Sequence, residues 1–191
     1  MSRPEWGPVL LDLARASLLE ALRLGCAGDA REHHESWLED PGACFVTLRR
    51  LGQLRGCVGS IRAYRSLRDD VWSNARAAAF HDTRFAPVEP GEMPEIRLEI
   101  SLLSAPEPVL VTCEADACRV LRPGSDGVIF EWGQCHSTFL PQVWDQLPDP
   151  LEFLAHLKHK AGLPPRFWAP DVKLWRYAVM KWEEASASSS R

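Results

Sequence analysis

Ala43-Cys44-Phe45-Val46-Thr47-Leu48, Leu51-Gly52-Gln53 and Leu54-Arg55-Gly56-Cys57-Val58-Gly59 form the run whose reading decides the fold. The first six residues are strand formers, the next three supply a turn, and Leu54 to Val58 runs back, which predicts a β-hairpin. A hairpin joins antiparallel neighbours, so the sheet it belongs to starts antiparallel. Downstream, Glu95 to Leu103 alternates, with Ile96, Leu98, Ile100 and Leu102 on one face and Arg97, Glu99 and Ser101 on the other. That is the pattern of a half-buried antiparallel strand.

Helical signals flank these strands. Leu10, Leu13, Ala14, Leu18, Ala21 and Leu22 recur at helical spacing over residues 8 to 24. Ser66-Leu67-Arg68-Asp69 resembles a capping box with Asp in the Glu place, opening a helix through about Phe80. Its small apolar residues, Ala75, Ala78 and Ala79, allow close packing on a sheet. Asp149-Pro150-Leu151-Glu152 starts another helix, to about Gly162. Residues 26 to 41 read as loop with a short helix near Glu35, and residues 81 to 94 as irregular. Residues 109 to 140 read as short strands, with a short helix starting near Leu140, and Val172 to Trp182 as one final strand. Helices and strands do not alternate regularly, so the fold class is α+β, a largely antiparallel sheet flanked by helices.

At 191 residues the chain suits one domain with a small appended subdomain. The net charge of -4, with acids and bases interspersed, carries no footprint for nucleic acid. Six cysteines in a core-rich chain do not resemble a disulfide scaffold. No apolar run reaches membrane-spanning length and no signal-peptide pattern opens the chain, so a reducing cytoplasm is the expected home. No phosphate loop or dinucleotide fingerprint is present, and no cofactor is expected.

In order and spacing, these segments resemble the AMMECR-domain family, protein A of the AmmeMemoRadiSam system. The resemblance rests on residues 42–48 and 52–59, on Asn74-Ala75-Arg76-Ala77-Ala78-Ala79, on Asp82-Thr83-Arg84-Phe85-Ala86-Pro87-Val88 and on residues 96–103. Phe139-Leu140-Pro141-Gln142-Val143, Phe153-Leu154 and Lys160-Ala161-Gly162-Leu163-Pro164 extend it. It implies one domain over residues 8–182 in two subdomains, the second smaller; the Ser/Ala-rich run of residues 183–191 reads from its composition as a disordered tail. It also implies association with Memo-type and radical-SAM proteins. The chain departs from the family pattern at Ser60 to Tyr64, which lacks a proline, at Thr83, which replaces one, and at Cys135-His136-Ser137-Thr138 before the Phe-Leu-Pro-Gln segment.

The candidate site centres on the second hairpin strand. Strand alternation puts Arg55, Cys57 and Gly59 on one face, so that Arg55 and Cys57 would share a solvent-reachable hollow. Cys57 reads as a nucleophile favoured by the arginine charge, with His81 or His136 as base, or as a small core residue. Arg55 and Arg84 read as anion clamps, or as loop-holding arginines, with Arg84 pairing Asp82. Gly56 and Gly59 allow close backbone approach. Asn74, on an apolar helix face, needs partners, either in the Arg55-to-Gly59 segment or in a cleft. Arg97 and Glu99 read as a surface ion pair. Gln142 and Lys160 are candidates for a groove between the subdomains, the lysine also suiting a helix C-terminus. Cys113 with Cys118, Cys135 with His136, His33 with His34 and His156 with His159 lack zinc spacing, and no metal is expected.

Three readings follow. One is a binding or accessory module holding an anionic small molecule, modified peptide or nucleotide around Arg55, Cys57, Asn74 and Arg84. The others are an enzyme with Cys57 as nucleophile and a protein-interaction scaffold.

Overall fold

The structure is a computed structural model that describes residues 4–25 and 33–185. In chain order the helices are α1 (Trp6–Ala21), α2 (Leu67–Phe80), α3 (Glu114–Val120) and α4 (Pro150–Lys160). The strands are β1 (Ala43–Arg50), β2 (Gln53–Gly59), β3 (Ile96–Leu103), β4 (Glu107–Val109), β5 (Gly127–Trp132), β6 (Cys135–Phe139), β7 (Lys173–Tyr177) and β8 (Val179–Glu183). They form two four-stranded sheets, β2-β1-β3-β8 and β4-β7-β5-β6. The chain is α+β and its sheets are largely antiparallel. It divides into two compact units, Met1–Leu103 with Met180–Arg191, and Ser104–Val179.

In the first unit, one face of the sheet presents Cys44, Val46, Leu48, Leu98 and Ile100 to Leu10, Leu13 and Leu18 of α1 and to Val71 and Ala75 of α2. Ser66 caps α2, its hydroxyl accepting the Asp69 N–H at 3.2 Å. The alanine face of α2 lets β2 approach so closely that a β-carbon on Gly56 would lie 2.1 Å from the Ala78 carbonyl oxygen. The hairpin turn is Leu51-Gly52, both residues left-handed (φ 51° and 81°), the two-residue geometry that matches strand twist.

The hairpin also carries a bulge. Leu48 faces Gly56 and Arg49 faces Leu54, so Arg55 has no partner across the ladder. A bulge adds one residue to a strand and re-aims its side chains. The alternation that would align Arg55 with Cys57 is broken there.

In the second unit, Phe130, Phe153, Leu154, Leu157 and Leu174 make the core, with Trp144 stacked on Phe153 at 3.7 Å. Asp149 caps α4, accepting the Leu151 and Glu152 amides at 2.9 and 3.0 Å.

Several readings of the sequence need correction. Within residues 109–140, Glu114–Val120 is helix rather than strand; its N-cap, Cys113, makes no side-chain cap bond, so the usual start signal is missing. The run from Val172 to Trp182 is two strands in different sheets. Ala178 and Ser104 exchange hydrogen bonds (Ser104 N–H to Ala178 carbonyl 2.9 Å, Ala178 N–H to Ser104 Oγ 3.0 Å), which take Ala178 out of the ladder. Alternation alone cannot reveal a change of sheet.

Residues 81–94 include a 3-10 turn, Pro90–Glu92, because proline fits a first helical position and Glu92 closes back on the Glu89 N–H at 3.0 Å. β3 is buried on both faces, with Glu99 6% and Ser101 7% exposed; the side chains of Arg49 and Lys181 reach Glu99 on the outward face. The tail reading starts too early: Glu183 ends β8, and Glu184 receives Arg15 Nε at 3.0 Å and the Leu98 amide at 2.9 Å. The remainder of that reading, residues 186–191, lies outside the described residues, as does Cys26.

Candidate functional site

The hairpin register places Cys57 of β2 across from Thr47 of β1, and Thr47 across from Glu99 of β3. The Thr47 hydroxyl donates to Cys57 Sγ at 3.3 Å. Glu99 takes Arg49 at 3.4 Å and, from β8, Lys181 at 2.8 Å. A row of chemically active side chains thus crosses all four strands of the first sheet, running thiol, hydroxyl, carboxylate, ammonium.

The loop after α2 closes the edge of this row. Asp82 Oδ2 accepts the Cys57 N–H at 2.9 Å, and Arg84 Nη2 donates to the Cys57 carbonyl at 3.4 Å. Because these main-chain groups of Cys57 point off the sheet, Cys57 and Thr47 are a non-hydrogen-bonded pair, the geometry in which side chains lie closest. That is why hydroxyl and sulfur meet. Arg84 grips Asp82 with a fork of two bonds, Nε to Oδ1 at 2.9 Å and Nη2 to Oδ2 at 2.7 Å. The Asp82 side chain is 6% exposed and that of Arg84 54% exposed. Arg84 is therefore held through Nε and Nη2 of its guanidinium while more than half of its side chain is exposed; its Nη1 takes no part in these bonds.

The electrostatics agree with this geometry. The hydrogen bond from Arg84 holds the Asp82 carboxyl far below the usual carboxylate range, with the Cys57 amide adding to it. The same bond raises the Arg84 pKa, and attraction to Asp82 and to Cys57 adds to the rise.

Arg55 stands apart from this row. Its Nε and Nη2 bind Glu92 at 2.8 and 2.9 Å, and Nη1 and Nη2 reach the Ala86 and Pro87 carbonyls at 2.9 and 3.3 Å. Arg55 lines a hollow of about 410 Å³ with Arg50, Ala86, Pro87, Glu89, Gly91 and Glu92; Cys57 is not part of it. The hollow that Arg55 lines does not include Cys57, and the unpaired position of Arg55 in the ladder breaks the alternation that would set the two side by side.

Asn74 belongs to a third, closed cluster on the opposite side of the sheet. Buried Asp70 accepts the Cys44 N–H at 2.8 Å, Ser60 Oγ at 2.6 Å, Arg65 Nε at 2.9 Å and Asn74 Nδ2 at 2.9 Å. Asn74 also donates to the Cys44 carbonyl at 3.0 Å and accepts Arg65 Nη2 at 3.2 Å. Every strong donor faces an acceptor, as a buried polar network requires. The Cys44 thiol is raised well above its ordinary pKa by burial first and by Asp70 second.

Gly56 and Gly59 serve close packing. Gly56 meets α2, and a β-carbon on Gly59 would lie 2.4 Å from the ring of Phe45, its cross-strand partner. Gln142 is exposed in the 3-10 turn Pro141–Asp145 of the second unit. Lys160, also in that unit, donates to the Thr138 carbonyl at 2.9 Å and lies 5.1 Å from the Phe139 ring centre.

Arg97 does not pair with Glu99 but donates to the Pro94 and Ile96 carbonyls. His136 Nδ1 lies 3.4 Å from the Gln134 carbonyl oxygen, and neither His136 nor His81 is hydrogen-bonded to the Cys57 sulfur. Among the described residues, no group of three or more His, Cys, Asp or Glu side chains is placed to hold a metal ion. Among them too, no helix is long and apolar enough to cross a membrane.

Sequence reasoning missed Thr47, Lys181 and the Asp70–Arg65 part of the network. The signal for Thr47 was the turn: a two-residue loop at Leu51-Gly52 dictates the pairing that brings it to Cys57.

A protein of two antiparallel sheets with this cysteine strand matches a known family. The AMMECR1 family model covers residues 11–182. A relative from Methanothermobacter thermautotrophicus is 36% identical over 186 residues, 96% of each chain. One from Thermococcus gammatolerans is 37% identical over 193 residues, covering 95% of this chain and 92% of its own. Among solved structures, the uncharacterized protein PH0010 from Pyrococcus horikoshii superposes with a TM-score of 0.82 at 34% identity, covering 94% of this chain and 92% of that one. The chain belongs to the AMMECR1 family.

Proposed function

We propose that this protein is a binding module that captures an anionic group at the Arg84–Cys57 end of the sheet row. The group would be carried by a small molecule, a modified peptide or a nucleotide, and the Memo-type and radical-SAM proteins implied by the family would supply or receive it. One observation carries the reading: Arg84 is fixed by a buried carboxylate and bonded to the Cys57 carbonyl, yet leaves more than half of its side chain exposed. A preorganised guanidinium loses little freedom on binding and suits planar anions. Binding is favoured over nucleophilic catalysis because the hydrogen-bond partner of Cys57 Sγ is a hydroxyl donor, not a base that would take its proton. Both arginines are forked to a carboxylate, but the Arg55 side chain is 15% exposed and that of Arg84 54%, so recognition falls to Arg84.

Labelling of Cys57 by a charged and a neutral reagent tests this reading, followed by peptide mass spectrometry. Arg84→Gln should slow iodoacetate on the order of tenfold, since a fixed cation concentrates anions locally, and leave iodoacetamide unchanged. Equal slowing of both reagents, or of neither, would defeat the proposal.

A further inference from the structure

The outward face of the first sheet carries two arginines directly across from each other. The register sets Arg49 of β1 against Arg97 of β3. Cross-strand partners hold their β-carbons about 5 Å apart, and like charges so placed destabilise a sheet. Both side chains lie on the face away from the core, because Leu48 and Leu98, their neighbours along the strands, point into it. Each arginine is partly exposed.

The acids nearby do not neutralise the pair. Arg97 donates through Nη1 to the Pro94 and Ile96 carbonyls at 3.1 and 2.9 Å and has no ion pair among the described residues. Arg49 reaches Glu99 through Nε at 3.4 Å, while Lys181 lies closer to the same carboxylate oxygen, at 2.8 Å. Glu95, two residues before Arg97, is bound to Arg50 Nε at 2.6 Å. On the other side of Arg49 its partner in β2 is Leu54, which carries no charge. The remaining acid of this face, Glu183, follows Lys181 by two residues on β8 and is exposed. Arg49, Arg97 and Lys181 thus meet two acids, Glu99 and Glu183, and a positive charge is left over in a chain whose total is -4.

Unused donors accompany that charge. Nε and Nη2 of Arg97 and both Nη atoms of Arg49 take no part in the bonds above. A guanidinium edge matches the oxygens of a phosphate two at a time, and a doubly charged oxyanion between two such edges converts their repulsion into attraction. From this juxtaposition we infer that Arg49 and Arg97 form an oxyanion site for a phosphate group, free or carried as a monoester on a small molecule, with Lys181 adding charge at its margin. The site uses neither Arg84 nor Cys57 and goes beyond the reading built on them.

Isothermal titration calorimetry tests the inference, with inorganic phosphate and phenyl phosphate as probes at about pH 8, where phosphate is doubly charged, and with chloride holding the ionic strength constant. The titration is made on the full-length Arg84→Gln variant, so that the Arg84 end contributes nothing. That variant should bind one phosphate saturably, and adding Arg97→Gln should weaken binding about tenfold, the loss of charge-assisted hydrogen bonds. Arg49→Gln in place of Arg97→Gln should act alike, which keeps the test decisive if one of the two fails to fold. Arg97→Lys, which keeps the charge without the fork, should recover only part of the affinity. Tighter binding of phenyl phosphate assigns the group to a small molecule and tighter binding of inorganic phosphate to the free ion; both uphold the site. Absence of saturable binding to Arg84→Gln, or binding that neither Arg49→Gln nor Arg97→Gln weakens, would overturn the inference and leave the Arg84 reading, which rests on Cys57 labelling, untouched.

Discussion

The two sides of the first sheet each carry a cysteine within a polar cluster, and the two clusters are built in opposite ways. On the inner side Cys44 is sealed, its main-chain N–H and C=O taken by Asp70 and Asn74, its thiol pushed up by burial. On the outer side Cys57 is half-buried and its main chain is held by Asp82 and Arg84, while the arginine keeps half of its side chain in water. Both clusters use a carboxylate and an arginine to secure strand backbone. The difference is where the arginine ends. Arg65 lies against Asn74 and Asp70 within the closed network, and Arg84 reaches outward. Residue type alone says little about availability; the number of partners each group has already found says more.

The widest separation should come from thiol chemistry. Native protein treated with iodoacetamide should label Cys57 and leave Cys44 unlabelled until the domain unfolds, because Cys44 has no path to solvent short of opening the core. Quantitative peptide mapping before and after denaturation reads this directly, and equal native labelling of the two would erase the contrast.

Next in size is the inner network. Asp70→Ala leaves Arg65, Ser60, Asn74 and the Cys44 amide without their common acceptor. Removing one member of a buried charged cluster costs about 3–5 kcal/mol. Denaturant unfolding should show a loss of that order, and a loss as small as that of a surface substitution would mean that water replaces the carboxylate freely.

The smallest effect sharpens the place of Arg55. Its hydrogen bonds hold Glu92 at a pKa of about 2, down from 4.5. A carboxylate with a lowered folded pKa contributes stability in full above its unfolded value and loses that contribution as pH falls toward the folded one. The wild type should therefore lose stability between pH 4.5 and about 2, and Glu92→Gln should lose less across that window. The same variant should leave Cys57 labelling unchanged. If labelling shifts with Glu92→Gln, Arg55 and Cys57 are coupled after all and the separation argued from the bulge is wrong.

The hairpin, the capped helices at Ser66 and Asp149 and the alternating β3 are local patterns, and they were legible because hydrogen-bond geometry along one segment needs no knowledge of any other. The resemblance of residues 42–59, 74–88 and 96–103 to one family likewise needed only their order. The site was less legible. Cys57 and Arg84 could be picked out by type, yet Thr47 enters only through register, and Lys181 only because the chain leaves one sheet at Ala178 and joins the other. Arg55 shows the limit most clearly. Alternation places its side chain on the Cys57 face, whereas it is unpaired in the ladder and bonded to Glu92. Sequence by itself determined the hairpin, the two capped helices, the alternating strand β3 and which family this chain joins, since these depend on neighbours along the chain. Which of its arginines, cysteines and carboxylates remain available was decided by tertiary structure, because that depends on partners that meet only when distant segments pack.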